Sequence, residues 1–115
     1  MKGTSPTART LKVLREEGTL AQVVERWNPY AKVRVDLWGF VDILAIRGNE
    51  TVGIQVTSAS NHSARVKKIM DSPLSVKLIL AGWILEVRSW GKKKGKWVER
   101  VQVIEIGDYP LITGN

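Results

Sequence analysis

Two polar residues, an aspartate and a glutamine, lie in an otherwise apolar part of this 115-residue chain. Asp42 stands within FVDILAI and Gln55 within TVGIQVTS, two segments whose composition predicts strands. The RGNE segment between them is typical of a hairpin with Gly48 and Asn49 at the centre of a two-residue turn. We therefore expect antiparallel strands over residues 42–46 and 51–57, in which Asp42 faces Gln55 with the Cβ atoms about 5 Å apart.

A carboxylate and an amide oxygen at this separation can bind a hard cation such as Mg²⁺ or Mn²⁺, which prefers oxygen ligands. Such an ion polarises a phosphodiester and activates water. The plainer alternative is that Asp42 and Gln55 simply hydrogen-bond each other in a half-buried sheet. The same register leaves room at Gly53, on the Asp42 face, for another group to approach. It makes the opposite face a core of Val41, Ile43, Ala45, Val52, Ile54 and Val56.

The elements that position this pair are predicted from caps, breakers and periodicity. One helix is expected from Pro6 to Glu17 and a second from Asn61 to Asp71. TLAQVVERW is compatible with a helix or a strand, and its valines and tryptophan favour a strand. AKVRVDLWG and SVKLILA are also predicted as extended segments. The fold class is therefore α/β, with a central mixed β-sheet flanked by helices.

A second hairpin is predicted from WILEVRSW and WVERVQVIEI, which flank GKKKGK. With the turn centred in that segment, Trp90 faces Trp97 and Arg88 faces Glu99. An aromatic pair next to an ion pair stabilises a long two-stranded arm. We expect this arm to form an extended basic β-hairpin.

The chain has 18 basic and 11 acidic residues and a formal charge of +7, and much of the excess lies in this arm. A polyanion is the expected partner, although a solvated loop kept soluble by lysines has the same composition. The residues predicted to contact nucleic acid are Asn61, Arg65, Lys68, Arg88, Lys92, Lys93, Lys94 and Lys96.

Composition also excludes several classes of site. The chain has no cysteine and a single histidine, His62, so disulfides, thiolate metal sites and Ser/His/Asp triads are not expected. LILAGWIL is far shorter than the ~20 residues of a membrane span, so no membrane association is expected. The first ten residues lack the apolar region of a secretory signal.

The order of helix, strand, VDILAI, GIQVTS, helix and two strands is similar to the minimal core of the PD-(D/E)XK nuclease superfamily. This restriction-endonuclease-like fold includes archaeal Holliday-junction resolvases. The likeness covers nearly the whole chain, so residues 1–115 are expected to form a single nuclease-like domain. Asp42 matches the first aspartate of the superfamily motif, Gln55 stands where the motif has Glu, and Thr57 stands where it has Lys. VERWNP, DLWGFVDILAI, QVTS and ARVKKI resemble a group of uncharacterised phage and prophage proteins.

The resemblance implies that Asp42 and Gln55 hold Mg²⁺ or Mn²⁺, because the amide oxygen of glutamine can still act as a ligand. Thr57 cannot supply the ammonium of the motif lysine. Lys67 or Lys68, on the helix that follows, is a candidate to supply it, and a solvated helix surface is the alternative for both.

Four further carboxylates are candidates for the site. Glu25 and Asp36 lie on segments that lead into the Asp42 strand, and each is otherwise explained as an ion-pair partner of the neighbouring Arg26 or Arg34. The adjacent pair Glu16 and Glu17 corresponds loosely to the acidic position on the first helix of the resolvases. His62 is a candidate to take a proton from water, with helix capping or a phosphate contact as alternatives.

Three functions are compatible with these features. The first is a divalent-metal-dependent DNA endonuclease that hydrolyses phosphodiesters, acting on branched or recombining DNA. The second is a catalytically inactive nucleic-acid-binding protein on a nuclease fold, and the third is a phage structural or interaction protein whose basic arm meets an acidic protein. The resemblance also implies a homodimer and a cytoplasmic location in a bacterium or a phage-infected host.

Overall fold

The structure, a computed structural model, describes residues 4–109. In chain order its helices and strands are α1 (Pro6–Glu16), β1 (Leu20–Val23), β2 (Arg26–Asn28), β3 (Val33–Val35), β4 (Ile43–Arg47), β5 (Glu50–Ser58), α2 (His62–Asp71), α3 (Ser75–Leu80), β6 (Ile84–Lys93) and β7 (Lys96–Ile104). Single 3₁₀ turns span Ala59–Asn61 and Ile106–Asp108. The main sheet has the order β1-β4-β5-β6-β7, while β2 and β3 pair as a separate hairpin. Because β5 is antiparallel to β4 and parallel to β6, the predicted mixed sheet is confirmed.

The β4–β5 hairpin has the predicted register. Arg47 pairs with Glu50 across the turn, and Gly48 takes a φ of 62°, which suits the first central position of a primed turn. At the far end the backbone N–H of Asp42 donates to the carbonyl of Ile54 at 2.8 Å. Asp42 therefore lies just before β4, on the line of the strand and beside β5.

One face of the sheet packs against α1. This helix begins as predicted, with the Ser5 hydroxyl accepting the N–H of Ala8 and proline in the first turn. Its buried Leu14 contacts a core formed by Ala21, Ile43, Ala45, Val52, Ile54, Val56 and Trp90. The Trp90 indole N–H, which is buried here, donates to the Thr10 hydroxyl at 2.9 Å. This bond ties β6 to α1.

The other face packs against α2 and α3, and here one prediction is wrong. Val41 was expected beside Ile43, but it lies in the second core with Phe40, Ile69, Leu85, Val87 and Ile104. The reason is a tight bend before β4, in which Leu37 and Val41 form an isolated bridge. Val41 also fills the space beside Gly53, because a Cβ built on that glycine would lie 3.1 Å from Val41 Cγ2. The predicted room at Gly53 is therefore occupied by the protein itself.

One further prediction of local structure is wrong. SVKLILA forms the helix α3 rather than a strand, and its Leu78 and Ile79 pack on the second core. Short apolar runs fit either structure, and the position beside β5 is taken by β6. The strand favoured for TLAQVVERW is confirmed, and it is divided between two strands because the chain leaves the main sheet after β1 and enters the β2–β3 hairpin.

The β6–β7 arm forms, but its register differs by two residues from the prediction. Trp90 pairs with Glu99, and Lys92 pairs with Trp97. The turn is centred on Lys94 and Gly95, whose φ values are 51° and 79°. A two-residue turn of this kind needs positive φ at both central positions, and glycine adopts it freely. A shift of two residues keeps every side chain on its predicted face.

Within residues 4–109, no helix combines the length and the apolar character needed to cross a lipid bilayer.

Candidate functional site

Three carboxylates converge at the edge of the second core, and together they form the carboxylate cluster: Glu25, Asp36 and Asp42. One oxygen of each lies within 4.8 Å of the others. Glu25 follows β1 and Asp36 follows β3, so the whole β2–β3 hairpin is inserted between two members of the cluster. The backbone holds the ends together, since the N–H of Val24 donates to the carbonyl of Asp42 at 2.8 Å.

Asp42 is the buried member of the cluster. Its Oδ2 accepts two hydrogen bonds of 2.8 Å, one from the Gln55 side-chain amide and one from the backbone N–H of Val56. Burial raises the pKa of Asp42 from 3.8 to about 7, helped by the negative charges of Asp36 and Glu25 and opposed by the Val56 bond. An ionised carboxylate is therefore costly here unless a cation joins it.

Gln55 completes the site from the neighbouring strand, as the register predicted. Its side chain is only 3% exposed, and its Oε1 has no hydrogen-bond partner within residues 4–109. A buried acceptor without a partner costs about 1–3 kcal/mol, so such atoms are uncommon in folded proteins. Gln55 adjoins the carboxylate cluster through its Nε2, which donates to Asp42 Oδ2. Mg²⁺ and Mn²⁺ prefer oxygen ligands of the kind that the three carboxylates and the Gln55 side chain offer.

Two basic side chains approach the carboxylate cluster from the surface. Lys68 Nζ lies 4.0 Å from Asp36 Oδ2, and Arg34 lies 4.0 Å from a Glu25 oxygen. An ion pair with an arginine was the alternative explanation for Glu25, and its contact with Arg34 is present together with the cluster. Lys67 instead binds Asp71 at 2.6 Å on the exposed side of α2. Of the two lysines predicted to supply an ammonium, only Lys68 is at the site.

Thr57 lies on the same face of β5 as Gln55 and is buried. It pairs with Ser89 of β6 and brings no charge to the site. Glu16 and Glu17 are exposed at the end of α1 and do not belong to the carboxylate cluster. Their expected correspondence to an acidic site residue finds no support in this arrangement.

The residues predicted to contact nucleic acid fall into two groups. Lys92, Lys93, Lys94 and Lys96 are exposed at the tip of the β6–β7 arm. Asn61 is exposed beside α2, and Arg65 is half-buried on that helix. Arg88 does not fit the prediction, because it is buried and its guanidinium donates to Glu86 and Glu99. Its charge is used inside the protein, where it neutralises the buried Glu86.

His62 is a structural residue rather than a surface one. It is buried at the start of α2, with its ring nitrogens 2.6 Å from the Ser89 hydroxyl and 2.8 Å from Gln102 Oε1. These bonds connect α2 to β6 and β7. The predicted roles in proton transfer or phosphate binding do not fit this placement.

Three exposed aromatic residues on the segments that join the members of the carboxylate cluster were not among the predicted site residues. Trp27 and Tyr30 lie on the β2–β3 hairpin, and Trp38 lies between Asp36 and Asp42. A sequence signal existed, since WNPY and LWG place aromatic residues next to turn-forming ones, where no core can cover them. Comparison of the chain with models of protein families, with curated proteins and with solved structures finds no match in any of the three.

Proposed function

We propose that this protein is a divalent-metal-dependent DNA endonuclease. The observation that carries the proposal is the carboxylate cluster, three acidic oxygens within 4.8 Å of one another. Gln55 donates to Asp42 at its edge, and the buried Oε1 of Gln55 has no partner among the described residues. The proposed ligands of Mg²⁺ or Mn²⁺ are Glu25, Asp36, Asp42 and Gln55. This set extends the pair expected from the sequence by two carboxylates.

Electrostatics supports a cation in this position. Burial is the main cause of the raised pKa of Asp42, and repulsion between the close carboxylates adds to it. Lys68 and Arg34 lie 4.0 Å from two of the acids, a separation that leaves much of the negative charge without close partners. A divalent ion would offset this charge and restore the ionised form of Asp42.

Each residue then has a distinct role in phosphodiester hydrolysis. A bound ion of this kind supplies Lewis acidity and a water of lowered pKa. The three carboxylates and Gln55 bind and orient it, and the buried hydrogen bonds of Asp42 keep its carboxylate in one position. The ammonium of Lys68, 4.0 Å from Asp36, positions the attacking water and stabilises charge, which is the role that the resemblance implies for the motif lysine where this chain has Thr57.

The test is cleavage of branched and linear DNA with Mg²⁺ or Mn²⁺. Wild type should cleave in the presence of metal, and Asp42→Ala should abolish cleavage while leaving DNA binding intact. Lys68→Ala should lower the rate strongly. Lys67→Ala is its matched control, since Lys67 lies one position away on the same helix and binds Asp71, and it should leave the rate unchanged. Equal effects of the two lysine substitutions would contradict the proposed role of Lys68.

A catalytically inactive nucleic-acid-binding protein is the second candidate. The observation in its favour is Thr57, an uncharged buried side chain where the superfamily motif has lysine. In that case the lysines at the tip of the β6–β7 arm carry binding through phosphate neutralisation. Wild type that binds DNA but stays inert with both metals on all substrates would favour this candidate. The homodimer implied by the resemblance remains a prediction, and light scattering in solution tests it.

A further inference from the structure

Three large aromatic side chains are exposed on the two segments that join the members of the carboxylate cluster along the chain. Trp27, two residues after Glu25, is 55% exposed, and Tyr30 at the tip of the β2–β3 hairpin is 96% exposed. Trp38, between Asp36 and Asp42, is 45% exposed. Aromatic rings provide much of the burial energy in cores and interfaces, so several exposed rings in one region mark a binding surface.

The charges on the same hairpin indicate what this surface binds. Residues 26–35 include three cations, Arg26, Lys32 and Arg34, and no acidic residue. Trp27 pairs directly with Arg34, so its ring and this guanidinium project from the same face of the hairpin. Flat rings alternating with cations are the composition with which proteins bind single-stranded nucleic acid, since bases stack on the rings and phosphates contact the cations.

Hydrogen bonds fix the backbone of the loop that carries Tyr30. Asn28 Oδ1 accepts the backbone N–H of Tyr30 at 3.0 Å and that of Ala31 at 3.1 Å. The N–H of Lys32 donates to the Asn28 carbonyl at 2.7 Å, which closes the loop beneath Tyr30. A cavity of about 260 Å³ lies against Trp27 and Tyr30. This volume is below the ~300 Å³ at which small-molecule sites begin, and it suits one flat group better than a whole ligand.

We infer that the β2–β3 hairpin binds unpaired nucleotides of a DNA strand. Bases stack on Trp27 and Tyr30, and the phosphates contact Lys32 and Arg34. Because Glu25 and Asp36 flank the hairpin, the stacked nucleotides lie next to the carboxylate cluster. Only this last consequence rests on the proposed function: it makes the substrate class a DNA in which an unpaired segment adjoins the phosphodiester to be cleaved.

The test measures binding alone, with EDTA present, so that it does not depend on metal or on catalysis. A fluorescently labelled oligonucleotide is titrated as a single strand and as a duplex, with fluorescence anisotropy as the readout. Trp27→Leu and Tyr30→Leu should each weaken single-strand binding about tenfold, the effect of losing one stacked base of ~1.4 kcal/mol, and should leave duplex binding unchanged. Trp27→Phe and Tyr30→Phe are the matched controls, since they keep a ring and should retain most of the affinity.

Several outcomes would overturn the inference. The inference is wrong if the leucine variants bind single strands as tightly as wild type. It is also wrong if the phenylalanine variants lose as much affinity for single strands as the leucine variants. A homodimer that either leucine substitution dissociates, with single-strand binding unchanged, would assign the surface to a second copy of the chain. Tyr30→Leu keeps the test decisive if Trp27→Leu does not fold, because Tyr30 is almost fully exposed.

The inference and the proposed function can fail separately. Metal-dependent cleavage by wild type together with unaffected binding by the leucine variants would refute the hairpin's role and leave the nuclease. Loss of single-strand binding in those variants, with no cleavage by wild type under any metal, would support the hairpin's role and refute the nuclease.

Discussion

Replacing Asp42 with asparagine should stabilise the metal-free protein and remove its response to metal. The amide oxygen of the asparagine side chain can still accept the bonds from Gln55 and the Val56 N–H, so the packing is preserved. What disappears is one negative charge beside Asp36 and Glu25. Most substitutions of buried, hydrogen-bonded residues destabilise a protein, so an increase in stability would identify this carboxylate as held at a cost.

The magnitude follows from the pKa of Asp42. A rise from 3.8 to about 7 corresponds to roughly 4 kcal/mol, at about 1.36 kcal/mol per unit, as the cost of the ionised form in the folded protein. The folded-state pKa of Asp42 lies above the unfolded one, so the protonated side chain contributes to the free energy of unfolding. This contribution is fully present below about pH 4 and is lost as pH rises to about 7. At pH 8 without metal, Asp42→Asn should therefore be more stable than wild type by up to roughly 4 kcal/mol.

The assay is urea unfolding at pH 5 and pH 8, in EDTA and then with Mn²⁺. The advantage of Asp42→Asn should be smaller at pH 5, where wild-type Asp42 is already protonated in the folded state. Mn²⁺ should stabilise wild type at pH 8 through binding to the folded state, and it should have little effect on the variant. A variant less stable than wild type at pH 8 in EDTA, or one stabilised by Mn²⁺ as strongly as wild type, would refute the electrostatic reasoning.

Three further predictions concern the arm and the sheet. Changing the four lysines at the tip of the β6–β7 arm to alanine should weaken binding to all DNA sequences alike. Titrations at several salt concentrations should show that the slope of log K against log salt becomes shallower by about 0.9 per lost contact. An unchanged slope would mean that the arm does not contact DNA. Gly53→Ala should lower the free energy of unfolding by about 1–3 kcal/mol in urea unfolding. The reason is that the new methyl would lie 3.1 Å from Val41 Cγ2 and 3.2 Å from Leu85 Cδ2. An unchanged free energy of unfolding would mean that these side chains move aside. Thr57→Lys should not raise the cleavage rate if Lys68 supplies the ammonium, since the new side chain starts from a buried position; a faster enzyme would show that the site lacks the motif lysine.

The tertiary structure alone assembled the carboxylate cluster. A hairpin separates Glu25 from Asp36 along the chain, and a tight bend separates Asp36 from Asp42. No local sequence pattern predicts that the chain brings all three residues together after the hairpin and the bend. Their meeting depends on the pairing of β1 with β4, a contact between distant segments. For the same reason, Lys68 could be distinguished from Lys67 only when α2 had been placed against the sheet.

The sequence by itself determined the features that depend on neighbouring residues. Ser5 and Pro6 were enough to locate the start of α1, because capping and a fixed proline φ act within one helical turn. RGNE was enough to oppose Asp42 and Gln55, because the register of a two-residue hairpin follows from its turn. The predicted β6–β7 register was wrong because GKKKGK, with four lysines and two glycines, is compatible with a turn at several positions. The turn lies at Lys94 and Gly95, which both have positive φ. SVKLILA became a helix because the place beside β5 belongs to β6, and the free energy of a short apolar segment depends on what covers it rather than on its own periodicity.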